Sequence, residues 1–311
     1  MERKHSMGIL NGKIALVTGA SRGIGRGVAI GLAREGATVV IAARTLAPPT
    51  GSGSEDHGGS VSGSLEQVAS RIEGEGGTAR PVACDLTDAQ AVEGLVQGVL
   101  LEFGRIDILV SNGQSHGALT KRFWEIPASE FDSQMAVSAR SYYLATHAAA
   151  PAMIEAGSGC IVNISSPGSC FDFFCAPYSI SRSTADRITQ AVAHDLQGTG
   201  VRTYSLWPSF IRTERVLAAA AGEDVGIPLP PDFDPATNAN SPEFVGLAVA
   251  NLAADEEESE RAGTVLTLYE VAEKYGLTDF DGRPAIRNSA VKASIEKFGC
   301  VVPNMYAKMT K

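Results

Sequence analysis

Short apolar runs alternate with longer segments of helical period through most of this 311-residue chain. The short runs are apolar throughout rather than at every second position, which is typical of parallel strands covered on both faces. We predict strands at 13–18, 38–43, 79–84, 106–111, 160–164, 201–206 and 264–268. Helices are predicted at 24–35, 64–75, 88–103, 129–155, 178–196 and 242–254. This alternation predicts an α/β protein with a doubly wound parallel sheet in a single domain.

Two of the predicted helices begin with the sequence of a capping box, in which a Ser or Thr precedes a Gln by three residues. Ser64 with Gln67 opens the second helix, and Thr87 with Gln90 opens the third. We therefore expect Ser64 and Thr87 to be the residues that cap these helices.

Composition excludes several classes of partner. The net charge is −9, so neither nucleic acid nor an anionic membrane, which require a basic face, is an expected partner. No apolar run of about eighteen residues is present and the N-terminus has no apolar segment, so no membrane span and no secretory signal are predicted. The five cysteines lack the paired spacing of a zinc site, and no metal site is predicted. The expected location is the cytoplasm.

A glycine-rich segment, TGASRGIG at 18–25, joins the first strand to the first helix. Gly19, Gly23 and Gly25 can make the sharp turn, let the backbone approach a pyrophosphate, and allow close packing of the helix. The N-terminus of that helix offers free N–H groups to phosphates. A glycine triplet alone is a weak signal, but its position within a βαβ unit makes this one specific. The segment predicts a dinucleotide site of the Rossmann type.

The end of the second strand indicates which dinucleotide binds. An NAD site usually has a carboxylate there for the ribose, whereas an NADP site has a cation for the 2′-phosphate. Here Ala43 is followed by Arg44, and Arg22 lies in the glycine segment. NADP(H) is therefore predicted in preference to NAD(H). The alternative is that Arg44 is only a solvated residue at the end of a strand.

Two polar groups are expected to meet at the carboxyl edge of the sheet. Asn-Ile-Ser-Ser at 163–166 ends the fifth strand, and Tyr178 opens the next long helix. A Ser hydroxyl can hold a substrate oxygen while a Tyr phenol gives or takes its proton. The pair predicts acid–base chemistry on a carbonyl or alcohol.

Taken together, these motifs resemble those of the short-chain dehydrogenase/reductase family over nearly the whole chain. The similar segments are TGASRGIG at 18–25, CDL at 84–86 and LVSNG at 109–113, with FWEIPASEFD at 123–132 and SLWP at 205–208 similar to one member in particular. The resemblance implies an oxidoreductase that transfers a hydride between a nicotinamide and a small-molecule ketone or secondary alcohol. It also implies a homodimer or homotetramer.

The resemblance implies roles by position. Ser166 would steady the substrate oxygen and Tyr178 would act as general acid and base. Ser165 is the alternative to Ser166, because the loop before Tyr178 is one residue shorter than the usual spacing. The cofactor would be held by Gly19, Ser21, Arg22, Gly23, Ile24, Gly25, Arg44, Asp85, Leu86, Asn112, Gly113, Tyr178, Arg182, Pro208, Ile211 and Thr213.

Two departures from the family pattern bear on catalysis. Arg182 stands four residues after Tyr178 where the family has Lys, and Ser138 stands where the family has an Asn that helps hold a relay water. Residues i and i+4 share a helix face, so the Arg182 charge still lies beside the phenol, but Arg cannot release a proton to a relay. Gln114 and Ser209 replace customary glycines. An active enzyme is predicted; a catalytically impaired relative that binds NADP(H) as a sensor or scaffold is the alternative.

Three segments fall outside the strand and helix pattern. Residues 47–63, rich in Pro, Gly and Ser, predict an exposed flexible insertion or a lid over the adenosine end of the cofactor. Residues 222–240 predict a loop that covers the substrate, and 276–311 are a C-terminal extension without assigned chemistry. Three aromatic side chains before Tyr178 are either core residues or an apolar substrate wall: Phe171, Phe173 and Phe174.

Overall fold

A parallel sheet runs through the residues that the computed structural model describes, which are 8–48, 63–115, 117, 119–170, 174–258 and 261–287. Within them seven strands lie in the order β3-β2-β1-β4-β5-β6-β7, with every neighbouring pair parallel. The strands are Ile14–Thr18 (β1), Thr38–Ala43 (β2), Thr78–Ala83 (β3), Ile108–Ser111 (β4), Gly159–Ile164 (β5), Val201–Trp207 (β6) and Val265–Thr267 (β7). All seven predicted strands are confirmed.

Helices connect the strands and cover the sheet. They are Gly23–Arg34 (α1), Leu65–Gly74 (α2), Ala89–Phe103 (α3), Ala128–Met135 (α4), Ser141–Glu155 (α5), Ala176–Asp195 (α6), Glu214–Ala220 (α7), Pro235–Asn238 (α8), Pro242–Ala254 (α9) and Leu268–Tyr275 (α10). The sequence pattern did not predict α7, α8 and α10, which are at most eight residues long. No helix in the described part of the chain is both long and apolar enough to span a bilayer.

Both faces of the sheet are buried at its inner strands, as the continuous apolar runs predict, whereas the edge strand β3 is partly exposed. On β1, Ala15 and Val17 face a core built with α1, α2, α9 and α10. Leu16, between them, faces a second core built with α3, α5 and α6. Successive strand residues point to opposite faces of the sheet. A strand that is covered on both faces is therefore apolar at nearly every position. The doubly wound α/β fold of the Rossmann type is confirmed.

One of the two predicted helix caps is wrong. The Ser64 hydroxyl accepts the N–H of Gln67, and the Gln67 side chain accepts the N–H of Ser64, so this capping box is present. At α3 the cap is Asp88, whose carboxylate accepts the N–H groups of the two residues at 90 and 91. The Thr87 hydroxyl donates instead to Asp85 at 2.8 Å. A carboxylate is favoured over a hydroxyl here because it also interacts with the positive end of the helix.

The long helix predicted at 129–155 is present but not uniform. A π turn at Ala136–Arg140 joins α4 to α5 without a break. Such turns insert one extra residue into a helix and are frequent at functional sites. Ser138 lies in this turn, is fully buried, and its hydroxyl has no hydrogen-bond partner among the described residues. Ser138, which the resemblance assigns to the site, thus lies in the π turn.

The chain order reverses between β1 and β4, since β2 and β3 lie on one side and β5 to β7 on the other. In open α/β sheets a crevice forms at this point, beyond the carboxyl ends of the strands. The glycine segment follows β1, Asn112 follows β4, and Ser166 follows β5. Helix α6 begins two residues before Tyr178 rather than at it, because Pro177 suits the first turn of a helix. Residues 49–62, 171–173 and 288–311 of the predicted segments lie outside the described residues.

Candidate active site

A cavity of about 770 Å³ opens at this crevice. Most of the residues predicted from the sequence line it. They are Gly19, Ser21, Arg22, Gly23, Ile24, Arg44, Asp85, Leu86, Asn112, Gly113, Ser166, Tyr178, Ile211 and Thr213. Four others, namely Gly25, Ser138, Arg182 and Pro208, do not line the cavity. The described residues contain no cluster of three metal-ligating side chains.

Gly25 lies behind the part of the cavity that the glycine turn lines, and it has no room for a side chain. A Cβ atom at this position would lie 2.2 Å from the carbonyl oxygen of Gly19 and 2.4 Å from the Nδ2 atom of Asn112. That space is needed because Asn112 Nδ2 donates to the Gly19 carbonyl at 3.0 Å. Gly19 itself has a φ of 64°, a conformation that glycine adopts without strain. The glycines thus hold the turn after β1 against the end of β4 and bring the start of α1 to the cavity.

Glu214, which the sequence analysis did not single out, occupies the start of α1. Its Oε2 atom accepts the N–H of Gly23 at 3.0 Å, and its other oxygen pairs with Arg26. This contact shows that the Gly23 N–H, at the N-terminus of a helix, can bind an anionic oxygen. A phosphate oxygen at Gly23 would therefore take the place of the Glu214 carboxylate. The only signal in the sequence was an acidic residue directly after Thr213.

The far end of the cavity carries the residues assigned to the adenosine. Arg44 follows β2, is exposed, and makes no ion pair with the described residues. The Asp85 carboxylate accepts the N–H and the hydroxyl of Thr87 at 2.9 and 2.8 Å. Leu86 fills the space beside Gly113, where a Cβ atom would lie 2.2 Å from the Leu86 Cδ1 atom. The arrangement leaves Arg44 as a solvated cation at the cavity rim.

Tyr178 and Ser166 meet in the wall of the cavity. The Tyr178 hydroxyl donates to Ser166 Oγ at 2.8 Å, and the same oxygen accepts the N–H of Gly168 at 3.1 Å. Ser165 is buried and donates instead to the carbonyl of Arg182 at 3.2 Å. Of the two serines left open by the sequence, Ser166 is therefore the one that contacts the phenol.

Arg182 lies beneath Tyr178 rather than in the cavity. Its side chain is only 2% exposed, and its Nη1 atom donates to the Ile164 carbonyl at 2.8 Å. The Cζ atom is 5.3 Å from the centre of the Tyr178 ring. Burial opposes the charged form, but the neighbouring Tyr142 and Tyr178 hydroxyls raise the pKa of Arg182 above its ordinary value. Arg182 is thus a permanent positive charge packed against the phenol.

Tyr142 anchors this arrangement and was missed by the sequence analysis. It is fully buried, and its hydroxyl lies 3.0 Å from the Gly113 carbonyl and 3.2 Å from the Ile164 carbonyl. Arg182 Nη1 approaches the same oxygen at 3.5 Å. Burial raises the pKa of Tyr142, so the phenol remains protonated. A tyrosine on an apolar helix carries no sequence signal that distinguishes such a role from ordinary core packing.

The wall next to Tyr178 is apolar. Phe174 lines the cavity, and its ring meets the Tyr178 ring edge to face at a centroid distance of 4.9 Å. Ile227, from the segment predicted to cover the substrate, packs in the same cluster as Phe174 and Tyr178, and Leu229 of that segment also lines the cavity. Ser209, in place of a customary glycine, has a φ of 65°, so the backbone keeps the left-handed conformation at some cost in strain. This end of the cavity suits an apolar group next to Tyr178 and Ser166.

Comparisons with known proteins agree with this architecture. A family model described as enoyl-(acyl carrier protein) reductase matches residues 19–266. The chain is 37% identical over 286 residues to dehydrogenase/reductase SDR family member 1 of Mus musculus, covering 88% of this chain and 85% of the relative. The Homo sapiens protein of the same name is 38% identical over 284 residues, with the same two coverages.

Solved structures give the same result. A metagenomic short-chain oxidoreductase in complex with NADP superposes with a TM-score of 0.62 at 31% sequence identity, covering 80% of this chain and 94% of its own. The chain therefore belongs to the short-chain dehydrogenase/reductase family, whose members are oxidoreductases that use nicotinamide cofactors on alcohol and ketone groups.

Proposed function

We propose that this protein is an NADP(H)-dependent oxidoreductase that transfers a hydride between the nicotinamide and a ketone or secondary alcohol. Tyr178 is the general acid and base, and Ser166 holds the substrate oxygen. The observation that carries the proposal is the 2.8 Å contact between their two oxygens in the cavity wall. A proton donor and a second hydroxyl at this distance can both reach one substrate oxygen.

The residues of the cavity fit a nicotinamide dinucleotide. The glycine turn leaves no room for a Cβ atom at Gly25, and the Gly23 N–H already holds a carboxylate oxygen. Arg44 and Arg22 both line the cavity and supply positive charge for a 2′-phosphate. A relative of known structure binds NADP. When bound, the cofactor supplies or accepts the hydride.

The protein's own residues handle the oxygen and its proton. As a carbonyl is reduced, its oxygen gains negative charge, and the Tyr178 hydroxyl donates its proton to that oxygen. Ser166 donates a second hydrogen bond to the same atom, with its position held by the Gly168 N–H. The Arg182 charge beneath the ring stabilises the phenolate that remains. Because Arg182 does not release protons, Tyr178 is reprotonated from the cavity.

The experiment that tests the proposal is consumption of NADPH with a panel of small and bulky ketones, run beside direct binding of NADPH measured by fluorescence. We expect both turnover and binding. Binding without turnover on any ketone would instead favour the impaired relative that serves as a sensor or scaffold. The buried Arg182 and the unpartnered Ser138 hydroxyl are the observations behind that second function.

Arg44 provides a test of cofactor choice. We expect Arg44→Ala to weaken NADPH binding by about tenfold to one-hundredfold, the range for loss of a charge-assisted hydrogen bond, and to leave NADH binding unchanged. Arg80→Ala is the matched control, because Arg80 is exposed on β3 and pairs with Glu102 outside the cavity. The measurement is the dissociation constant of each cofactor. Equal affinity of the parent protein for NADPH and NADH would refute the preference.

The assembly and the outer segments are also proposals. A homodimer or homotetramer is supported by exposed apolar side chains on α5 and α6, namely Tyr143, Ile154 and Ile180. Residues 222–240 are proposed to cover the substrate, which Ile227 and Leu229 support by lining the cavity. Residues 47–63 and 276–311 are proposed as an exposed insertion and an extension of one NADP(H)-binding domain.

The cytoplasm is the proposed location, where the four free thiols of the described residues would stay reduced.

A further inference from the structure

Arg215 is a cation in the cavity that the proposed chemistry does not use. It is the second residue of α7, is partly buried, and lines the cavity together with Ser166 and Tyr178. No motif of the sequence analysis included it. A cation in this position can bind a negatively charged group of a ligand.

The guanidinium of Arg215 is held in place from one edge. Its Nε and Nη2 atoms both donate to the carbonyl of Val225, at 2.9 and 2.7 Å. Nη1 donates no hydrogen bond to the described residues, so the opposite edge of the fork is available to a ligand. A planar group fixed on one side loses little freedom when it binds an oxygen on the other.

The charge of Arg215 has no counter-ion in the described part of the chain. Its neighbour Glu214 turns away and is held by Gly23 and Arg26. The charged residue with the largest effect on it is another cation, Arg22, and burial together with Arg22 lowers the pKa of Arg215. A partly desolvated cation without a partner is costly, and a negative group of a ligand in the cavity would offset that cost.

Two ligands could supply that group: the pyrophosphate of the cofactor or an acid on the substrate. The phosphate end is already defined by Gly23, Arg26 and Glu214 on one side of α7. Arg215 turns instead toward Val225, two residues before Ile227, which belongs to the apolar wall beside Tyr178. Tyr178 is also among the groups that act on the Arg215 charge. Arg22 also acts on the Arg215 charge, and more strongly than Tyr178 does, so Arg215 lies between the two ends of the cavity. Its contact with Val225, next to the segment of Ile227 that packs with Tyr178, favours the substrate end.

We infer that Arg215 binds an acidic group of the substrate, so that the protein acts on oxo acids and hydroxy acids in preference to neutral ketones and alcohols. The inference rests on the proposed function and narrows it. The carbonyl lies at Ser166 and Tyr178, the acidic group lies at the free edge of Arg215, and the apolar wall contacts the chain between them.

The experiment uses 2-oxo, 3-oxo and 4-oxo acids, each paired with its ethyl ester, on the parent protein, Arg215→Leu and Arg215→Lys. We expect the parent to favour at least one acid over its ester in kcat/KM by tenfold or more. Arg215→Leu should lose that preference through KM while its activity on the ester is kept, and Arg215→Lys should retain part of it. Arg187→Leu, an exposed arginine of α6 outside this cavity, is the matched control.

A second measurement separates the two sources of negative charge. Titration of NADPH should give the same dissociation constant for Arg215→Leu as for the parent protein. A large loss of NADPH affinity in Arg215→Leu, with no change in the ratio of acid to ester, would assign Arg215 to the pyrophosphate and overturn the inference. A parent that reduces the esters without favouring any acid would also overturn it while leaving the proposed function intact.

If no carbonyl compound is reduced, the proposed function fails. Binding of an acidic group by Arg215 can still be tested separately. The probe is then a simple carboxylate, such as a 2-hydroxy acid, titrated against the fluorescence of bound NADPH. A response in the parent that Arg215→Leu lacks supports an acid-binding site. An identical response in both proteins, or none in either, overturns it.

Discussion

Replacing Tyr178 by Phe should lower turnover by about a hundredfold or more, the range for loss of a general acid–base group, and leave NADPH binding close to that of the parent. The phenol oxygen is the atom that contacts Ser166 at 2.8 Å, and the neighbouring serine can hold the substrate oxygen but does not replace the phenol as the acid. The ring itself packs edge to face on Phe174. A phenylalanine keeps that packing, so the loss is specific to the hydroxyl.

The measurement is kcat for ketone reduction together with the dissociation constant of NADPH. Tyr143→Phe is the control, because it removes a hydroxyl from a half-exposed tyrosine of α5 that stacks on His147. We expect that control to match the parent protein in both quantities. Should Tyr178→Phe keep most of its activity, the assignment of Tyr178 as acid and base is wrong.

Arg182 is the position of the second large expected effect. Its charge lies 5.3 Å from the centre of the Tyr178 ring, and a unit charge at that distance stabilises a phenolate by about 3 kcal/mol at an effective dielectric constant near 20. Arg182→Met should therefore slow turnover on the order of a hundredfold. Alcohol oxidation should slow as well, because the phenolate loses the positive charge packed against its ring.

Arg182→Lys distinguishes the charge from the shape of the group. It keeps a cation but gives up the planar fork that donates to the Ile164 carbonyl and approaches Tyr142. We expect a rate between those of the parent and Arg182→Met, since Lys keeps the charge but the site is fitted to the guanidinium, whose Nη1 atom makes both contacts. The measurement is the pH profile of turnover at saturating cofactor, with the melting temperature of each variant as the check on folding. A profile of Arg182→Met that coincides with the parent over the whole range would remove Arg182 from the mechanism.

The strands could be predicted from the sequence because their burial is encoded residue by residue. In β1, Leu16 and its neighbours Ala15 and Val17 must all be apolar, since the sheet has a core on each face. The π turn at Ala136–Arg140 could not be predicted in this way. Its residues are compatible with an ordinary helix, and the turn packs against α6, a segment distant in sequence.

The sequence by itself determined the glycine turn after β1, the Ser and Tyr that follow β5, and the cation at the end of β2. Each of these signals is local, because it depends on residue types at short spacing within one connection. Only the tertiary structure decided that Ser166 rather than Ser165 contacts Tyr178, which depends on the path of the backbone after β5. It also brought Glu214 to Gly23, 191 residues away in the chain. Contacts between such distant segments depend on the packing of the whole sheet, which no local pattern records.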